Sequence, residues 1–438
     1  MGNFLLTSTP LYGHVSPMLA IGRALRVRGH HVGMLTGTSF RAEVETAGLS
    51  FRPLPVDADF DDGRLDDWLP GRARRRGLDA GRYDIVGLFV RPLVAQHIAL
   101  MDALQATRYD GVVCEAGFLG AMPTLLTVPA SARVPIVGIS ATPISTRSID
   151  CAPFGSGLDP GRSAHTRRRN RFLDIVLTHG PLRPIQAAID GSLSSLGVVD
   201  VSCNYFDYVT LFDATFQLAV RGFEYPRREL PSTVHFIGPI ASAQTDGVPY
   251  PDWWGDLDGS RPVVHLTQGT LANADATHLL IPAIRALADD DVVVVASTGG
   301  RDTADVLTAF AGRLPANARV AEFLPYDELL TRTDVMVSNG GYGGVQRALA
   351  AGVPLVVAGS SEDKPEVAAR VAWSGAGIDL RTGRPSGTRI RAAVRTVLDD
   401  PSYRRSAMRL QAETSLLPDP AGVVVTHLEA TIGAHATH

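Results

Sequence analysis

The chain has 438 residues, more than one hydrophobic core usually spans, so length alone predicts two domains. Hydrophobic residues make up 45% and charged residues 20%, the balance of an ordinary globular protein, neither disordered nor membranous. The net charge of -4 offers no basic field to a phosphate backbone, which excludes nucleic acid as an expected partner.

Cys114, Cys151 and Cys203 are odd in number and widely spaced, fitting neither a disulfide framework nor a zinc site, so a reducing, cytoplasmic setting is expected. Residues 1–6 lack the basic start of a signal peptide, and their apolar run stops at Thr7-Ser8-Thr9-Pro10. The longest weakly charged stretch, 118–131, contains two prolines and is too short to span a bilayer, so no membrane insertion is expected.

In chain order, an apolar run at 3–9 predicts a strand, followed by a glycine-containing loop and helical periodicity over 17–25. Further strands are predicted at 31–35, 111–114 and 134–139, with helical stretches between them. This alternation predicts a parallel sheet with crossover helices. Two irregular stretches, 57–87 and 142–171, read as long surface loops of the length that usually serves function or motion. The arginine clusters within them, 72–76 and 167–171, suit either an acidic ligand or a solvated face. A region rich in Pro and Trp, 225–262, marks a boundary. The alternation then restarts, with strands predicted at 263–266, 292–296, 320–324, 335–338, 354–358 and 378–380, and helices such as 279–287 and 345–351. The expected organisation is residues 1–225 as a first Rossmann-like domain, 226–262 as a linker, 263–415 as a second Rossmann-like domain and 416–438 as a closing segment.

Three loops carry chemistry. In Leu11-Tyr12-Gly13-His14-Val15-Ser16-Pro17 a histidine sits in the turn between the first strand and its helix, where ligands bind in an open α/β sheet. A neutral imidazole there, with an ordinary pKa of about 6.5, can take a proton from a hydroxyl at neutral pH; it can equally cap the helix or face solvent. A base of this kind needs a partner that fixes its tautomer. Glu115, at the end of the strand 111–114, falls at the same sheet edge, although it also suits a helix start or the surface.

The second loop is Ser338-Asn339-Gly340-Gly341-Tyr342-Gly343-Gly344, between a strand and a helix. Glycines let backbone approach a phosphate, and a helix start supplies unpaired N–H groups. It is neither a Walker A loop nor a clean GxGxxG, and a structural turn is the other reading. Gln268-Gly269-Thr270 follows the strand 263–266 and can add a hydroxyl and backbone contact. The third loop, Gly359-Ser360-Ser361-Glu362-Asp363-Lys364-Pro365-Glu366, puts carboxylates at a strand end, suited to sugar hydroxyls or simply to a helix N-terminus.

With these motifs in place, the order of elements resembles the GT-B glycosyltransferases of the UDP-glycosyltransferase type, particularly bacterial enzymes acting on macrolides and other natural products. The resemblance spans nearly the whole chain. It implies an α/β fold with two doubly wound Rossmann-like domains facing a cleft, the first binding the acceptor and the second the nucleotide sugar, with the last segment packing back on the first domain. Gly13-His14 with Pro17 is similar to the family's opening motif, which implies that His14 is the catalytic base. The family's acidic partner is usually aspartate, so Glu115 is a shifted assignment. His235-Phe236-Ile237-Gly238-Pro239 resembles the end of the first domain. Phe323 through Lys364 resembles the donor signature, with Ala348-Leu349, Gly352-Val353-Pro354 and Asp363 in register. Four positions depart from it: Asn339 replaces a phosphate-binding histidine, Gly344 a Ser or Thr, Tyr326 a base-contacting Gln, and Lys364 the closing Gln.

The expectation is an inverting, metal-independent transfer from an NDP-sugar, UDP-glucose or a dTDP-sugar, to a hydroxyl of a small apolar or aromatic acceptor. No cofactor is expected beyond that co-substrate. His14 and Glu115 act on the acceptor. Thr270, Asn339, Gly340, Gly341, Gly343 and Gly344 hold the diphosphate, Asp363 and Lys364 the sugar, and Phe323 or Tyr326 the base. A monomer or homodimer is expected. A non-catalytic helper or a sugar-nucleotide epimerase are the alternatives.

Overall fold

A computed structural model describes residues 1–240, 248–269, 273 and 275–435. The chain divides into two compact units. The first comprises Met1–Ala219, Tyr225–Ala241 and Pro418–His438, and the second Val220–Glu224 and Ser242–Leu417.

The first unit holds a seven-stranded parallel sheet of β1 (Asn3–Thr7), β2 (His31–Thr36), β3 (Ser50–Pro53), β4 (Gly111–Glu115), β5 (Ile136–Ser140), β6 (Ala214–Gln217) and β7 (Val234–Phe236), in the order β3-β2-β1-β4-β5-β6-β7. The second holds six parallel strands, β8 (Val263–Thr267), β9 (Val293–Ser297), β10 (Ala318–Ala321), β11 (Val335–Ser338), β12 (Leu355–Val357) and β13 (Gly377–Asp379), in the order β10-β9-β8-β11-β12-β13. β4, β5, β8 and β9 are buried along their whole length, because helices cover both faces of each sheet. That is why they read in the sequence as continuous apolar runs rather than alternating ones.

Each sheet reverses its strand order beside its first strand, between β1 and β4 in one unit and between β8 and β11 in the other. The register pairs Thr7 with Cys114 and Thr267 with Ser338. The loops that leave these four strands therefore diverge over a crevice at the carboxyl edge, the place where ligands enter doubly wound sheets.

The irregular stretch 57–87 contains helical turns at Asp62–Arg64, Leu65–Trp68 and Arg72–Arg74 and a helix at Gly77–Ile85, stabilised by ion pairs such as Arg72 with Asp84 at 2.9 Å. Its charged residues suggested a loop because its helices are short and mostly exposed. Likewise a 16-residue helix, Ala164–His179, occupies the end of the second irregular stretch, capped by Ser163. The stretch expected as a linker, 226–262, contributes β7 to the first sheet, where Thr215 and Gln217 pair with Val234 and Phe236.

The helical run Gly77–Ala106 is long and apolar enough to cross a bilayer by length and composition. Leu93, Gln96, Leu100 and Ala103 on it are buried in the first unit. The last helix, Pro420–His435, packs in the same unit through Val424, Val425 and Leu428, all fully buried, and through Glu429, 3.0 Å from Arg28 and 3.1 Å from His30.

Candidate active site

His14 lies in the first turn of the helix Tyr12–Val27, which starts directly after the β1 loop, and Glu115 is the last residue of β4. The two flank the strand-order reversal of the first sheet. His14 Nδ1 stands 2.7 Å from Glu115 Oε1, with the carboxylate side chain 1% exposed and the imidazole 14%. The Gly117 N–H donates to the same Oε1 at 2.7 Å, which helps fix the carboxylate. The ring of Phe89 packs on the imidazole, with centroids 5.7 Å apart. Phe89 belongs to a single π-helical turn, Val86–Val90, a local irregularity often found at functional sites.

The groups behind Glu115 respond to burial and to its negative charge. The Cys114 thiol is pushed up to about 12, chiefly by burial, with Glu115 adding to the effect. Tyr205 and Tyr208 are raised chiefly by burial and further by Glu115. An imidazole whose Nδ1 stands this close to a buried carboxylate favours the tautomer that keeps the lone pair on Nε2, and an imidazolium formed there is stabilised.

In the second unit, Asn339, Gly340 and Gly341 leave β11, and the helix Tyr342–Ala350 begins immediately after them. The Gly341 N–H donates to Asn339 Oδ1 at 3.3 Å, and the Asn339 amide donates to the Gln268 carbonyl, joining this loop to the one after β8. Gly340 has φ of +86°, and a side chain there would come within 2.8 Å of Val357. The position admits glycine for both reasons. Gly343 and Gly344 form the first helical turn, where backbone N–H groups have no intrahelical acceptor and the helix dipole is positive. Gly343 is exposed there, with open space around its Cα. Thr270 lies outside the described residues.

Asp363 precedes the helix Lys364–Trp373, and Lys364 is its buried first residue. Lys364 forms an ion pair with Glu362, whose φ of +57° is a strained conformation for a residue with a side chain. Among the described residues, Gly340 and Gly359 both pack against Lys364, so the second and third loops form one structure. Phe323 is half-buried against Gly300. Tyr326 is differently placed. Arg347 covers its ring at 4.6 Å, His265 meets it edge-on at 5.5 Å, and its hydroxyl points to Met336 Sδ at 3.7 Å. Burial pushes the Tyr326 hydroxyl up to about 12. Among the described residues, no group of three or more His, Cys, Asp or Glu side chains is gathered so as to hold a metal ion.

Sequence reasoning missed Phe89 and Gly117 around His14, and Thr298, Gly299 and Gly300 after β9. The Asn273 amide donates to the Thr298 carbonyl at 2.8 Å, and Arg301 Nε donates to Asn273 Oδ1 at 2.7 Å, so this loop joins the carboxyl edge of the second sheet. The Gly-Gly pair directly after an apolar run was a visible turn signal. The π-turn had none.

Residues 12–86 match the Glycosyltransferase family 28 N-terminal domain, and residues 283–430 match the family described as Erythromycin biosynthesis protein CIII-like, C-terminal domain. Over 410 residues the chain is 40% identical to 4'-demethylrebeccamycin synthase of Lentzea aerocolonigenes, covering 93% of this chain and 94% of the relative. It is 37% identical to UDP-glycosyltransferase 2 of Phaeomoniella chlamydospora, over 93% and 91% of the two chains. The chain belongs to the UDP-glycosyltransferase family. This transferase also shares its fold with the calicheamicin glycosyltransferase, at a TM-score of 0.72 and 22% identity over 99% of this chain and 98% of that one. Its two parallel-sheet domains are those of the GT-B glycosyltransferases, and it is a glycosyltransferase enzyme.

Proposed function

We propose that this transferase moves a sugar from a nucleoside diphosphate sugar, UDP- or dTDP-linked, to a hydroxyl of a small apolar or aromatic natural product, inverting the anomeric carbon. The observation that carries the reading is the pairing of His14 with buried Glu115 at 2.7 Å beside the strand-order reversal of the first sheet. A natural-product acceptor is supported by one relative's name, which speaks of demethylrebeccamycin, and by the description of the matched C-terminal family, which speaks of erythromycin biosynthesis.

His14 Nε2 takes the acceptor hydroxyl proton as the acceptor oxygen bonds to the anomeric carbon. The bond from that carbon to the diphosphate oxygen breaks, and the nucleoside diphosphate leaves with the electron pair. Glu115 holds the ring and stabilises the imidazolium. The leaving charge is met by the N–H groups of Gly343 and Gly344, the helix dipole, Asn339, Gly340 and Gly341, with Thr270 as a further donor. No resident cofactor is required. Asp363 and Lys364 orient sugar hydroxyls. Phe323 is the better candidate for the base, because Arg347 and His265 already engage the ring of Tyr326.

The test is an acceptor screen with UDP-glucose and dTDP-sugars, read by mass spectrometry, with the anomeric configuration of any product determined by NMR. A β-glycoside from an α-linked donor is expected. Retention of configuration, or nucleotide binding with no adduct across a broad acceptor set, contradicts the reading.

A further inference from the structure

The residues Val220–Glu224 belong to the second unit, although Ala219 before them and Tyr225 after them belong to the first. Within the second unit, three consecutive residues of this segment dock on three different helices. The Gly222 N–H donates to Glu413 Oε2 at 2.9 Å on the helix Pro401–Ser415, and a side chain at 222 would collide with that carboxylate. Phe223 is fully buried and meets the ring of Tyr342, with centroids 6.3 Å apart at 64°. Glu224 Oε2 accepts from Arg370 Nε at 2.9 Å, and Arg370 also donates to Glu366 Oε2 at 2.7 Å; the Arg370 and Glu224 side chains are 0% and 1% exposed.

Two of these contacts bear on the loops assigned above to the donor. Tyr342 is the first residue of the helix whose opening turn includes Gly343 and Gly344. Arg370 sits on the helix that starts at Lys364, and Lys364 packs against Gly340 and Gly359. A guanidinium buried between two carboxylates has a strongly preferred geometry, since movement away from either leaves a buried charge poorly paired. An aromatic ring packed at a helix start likewise fixes where that turn lies.

The geometry points to Phe223 and Glu224 as positioning residues for the nucleotide-sugar diphosphate: Phe223 holds the start of the helix Tyr342–Ala350, and Glu224, by way of Arg370 in the last turn and Glu366 in the first, holds the helix that begins at Lys364. The inference rests on the donor assignment made under the proposed function. It extends the donor site to residues about 120 to 150 positions upstream that touch no substrate.

The test compares wild type, Glu224→Gln, Phe223→Ala and the conservative Phe223→Leu in the full-length protein. UDP and dTDP binding is followed by calorimetry, steady-state kinetics is measured for both substrates, and hydrogen exchange is followed over Tyr342–Ala350 and Lys364–Trp373. Glu224→Gln keeps size and a hydrogen-bond acceptor, so it separates positioning from folding. The expected result is nucleotide affinity weakened about 10-fold in Glu224→Gln and Phe223→Ala, with donor KM rising in step. Acceptor KM stays unchanged, kcat at saturating donor stays within about twofold, exchange over both helices is faster, and Phe223→Leu largely restores binding. Folded variants with unchanged nucleotide affinity and unchanged exchange overturn the positioning role. A wild type that binds neither nucleotide contradicts the donor reading instead, and exchange over the two helices still decides whether the segment holds them.

Discussion

Gly117 has no side chain because His14 and Glu115 leave no room for one: a Cβ at 117 would stand 3.1 Å from His14 Nδ1, 3.0 Å from Glu115 Oε2 and 2.8 Å from Phe89 Cε1. The glycine N–H holds the carboxylate while its bare Cα lets the imidazole and the π-turn phenylalanine close over it. Replacing it with alanine is therefore expected to part the pair. Gly117→Ala should lower kcat by at least about 10-fold while costing only about 1–2 kcal/mol of stability, the range of modest overpacking. Parallel measurement of kcat and of the urea midpoint checks this; a variant with full kcat would show that the pair tolerates displacement.

Glu115→Gln removes the charge that stabilises an imidazolium yet keeps an oxygen for the Gly117 N–H. The expected loss is about 100-fold or more in kcat with little change in donor KM. Equal losses in kcat and donor affinity would place Glu115 in the framework rather than in the chemistry.

Gly340 combines φ of +86° with a neighbour, Val357, 2.8 Å from any added Cβ. Gly340→Ala is expected to cost about 1–3 kcal/mol and to weaken nucleotide binding about 10-fold or more, because the loop must shift to accept the side chain. Calorimetric titration with UDP and dTDP, alongside thermal unfolding, provides the measurement.

His265 lies at the centre of β8, fully buried, with Nδ1 at 3.0 Å from the Val295 carbonyl, and burial holds its pKa down to about 4. In the unfolded chain the same group titrates at about 6.5. The folded value is the lower one, so the unfolded state binds the extra proton below about pH 6.5. The stability from the neutral ring is complete above that pH and is lost as pH falls through 6.5 toward 4. Between pH 7 and pH 4 wild type should lose on the order of 3 kcal/mol more than His265→Leu. Urea midpoints that fall in parallel for the two proteins would contradict this.

The doubly wound architecture was legible because parallel strands buried on both faces leave continuous apolar runs, as in 263–267 and 293–297. β3 and β6 were not, since Ser50–Pro53 ends on a proline and Ala214–Gln217 is a four-residue strand with polar residues at two positions. The loops bearing His14, Glu115 and Asn339 were legible from their places at strand ends, whereas the distance between His14 and Glu115 depends on the adjacency of β1 and β4. The surroundings of Tyr326 were not legible. Its place in the donor signature suggested a face for the base, but the fold puts Arg347 and His265 against it. The segment Gly222-Phe223-Glu224 carried no periodic signal, because its anchoring uses one residue per partner and those partners lie far along the chain.

In the proposed mechanism His14 removes the acceptor proton. The most direct measurement is turnover of His14→Ala against wild type, with an acceptor and donor that wild type converts, together with nucleotide binding by the variant. The expected result is a loss of about 1,000-fold or more in kcat with nucleotide affinity retained within about twofold. A variant that binds nucleotide and still forms product at near the wild-type rate would contradict it.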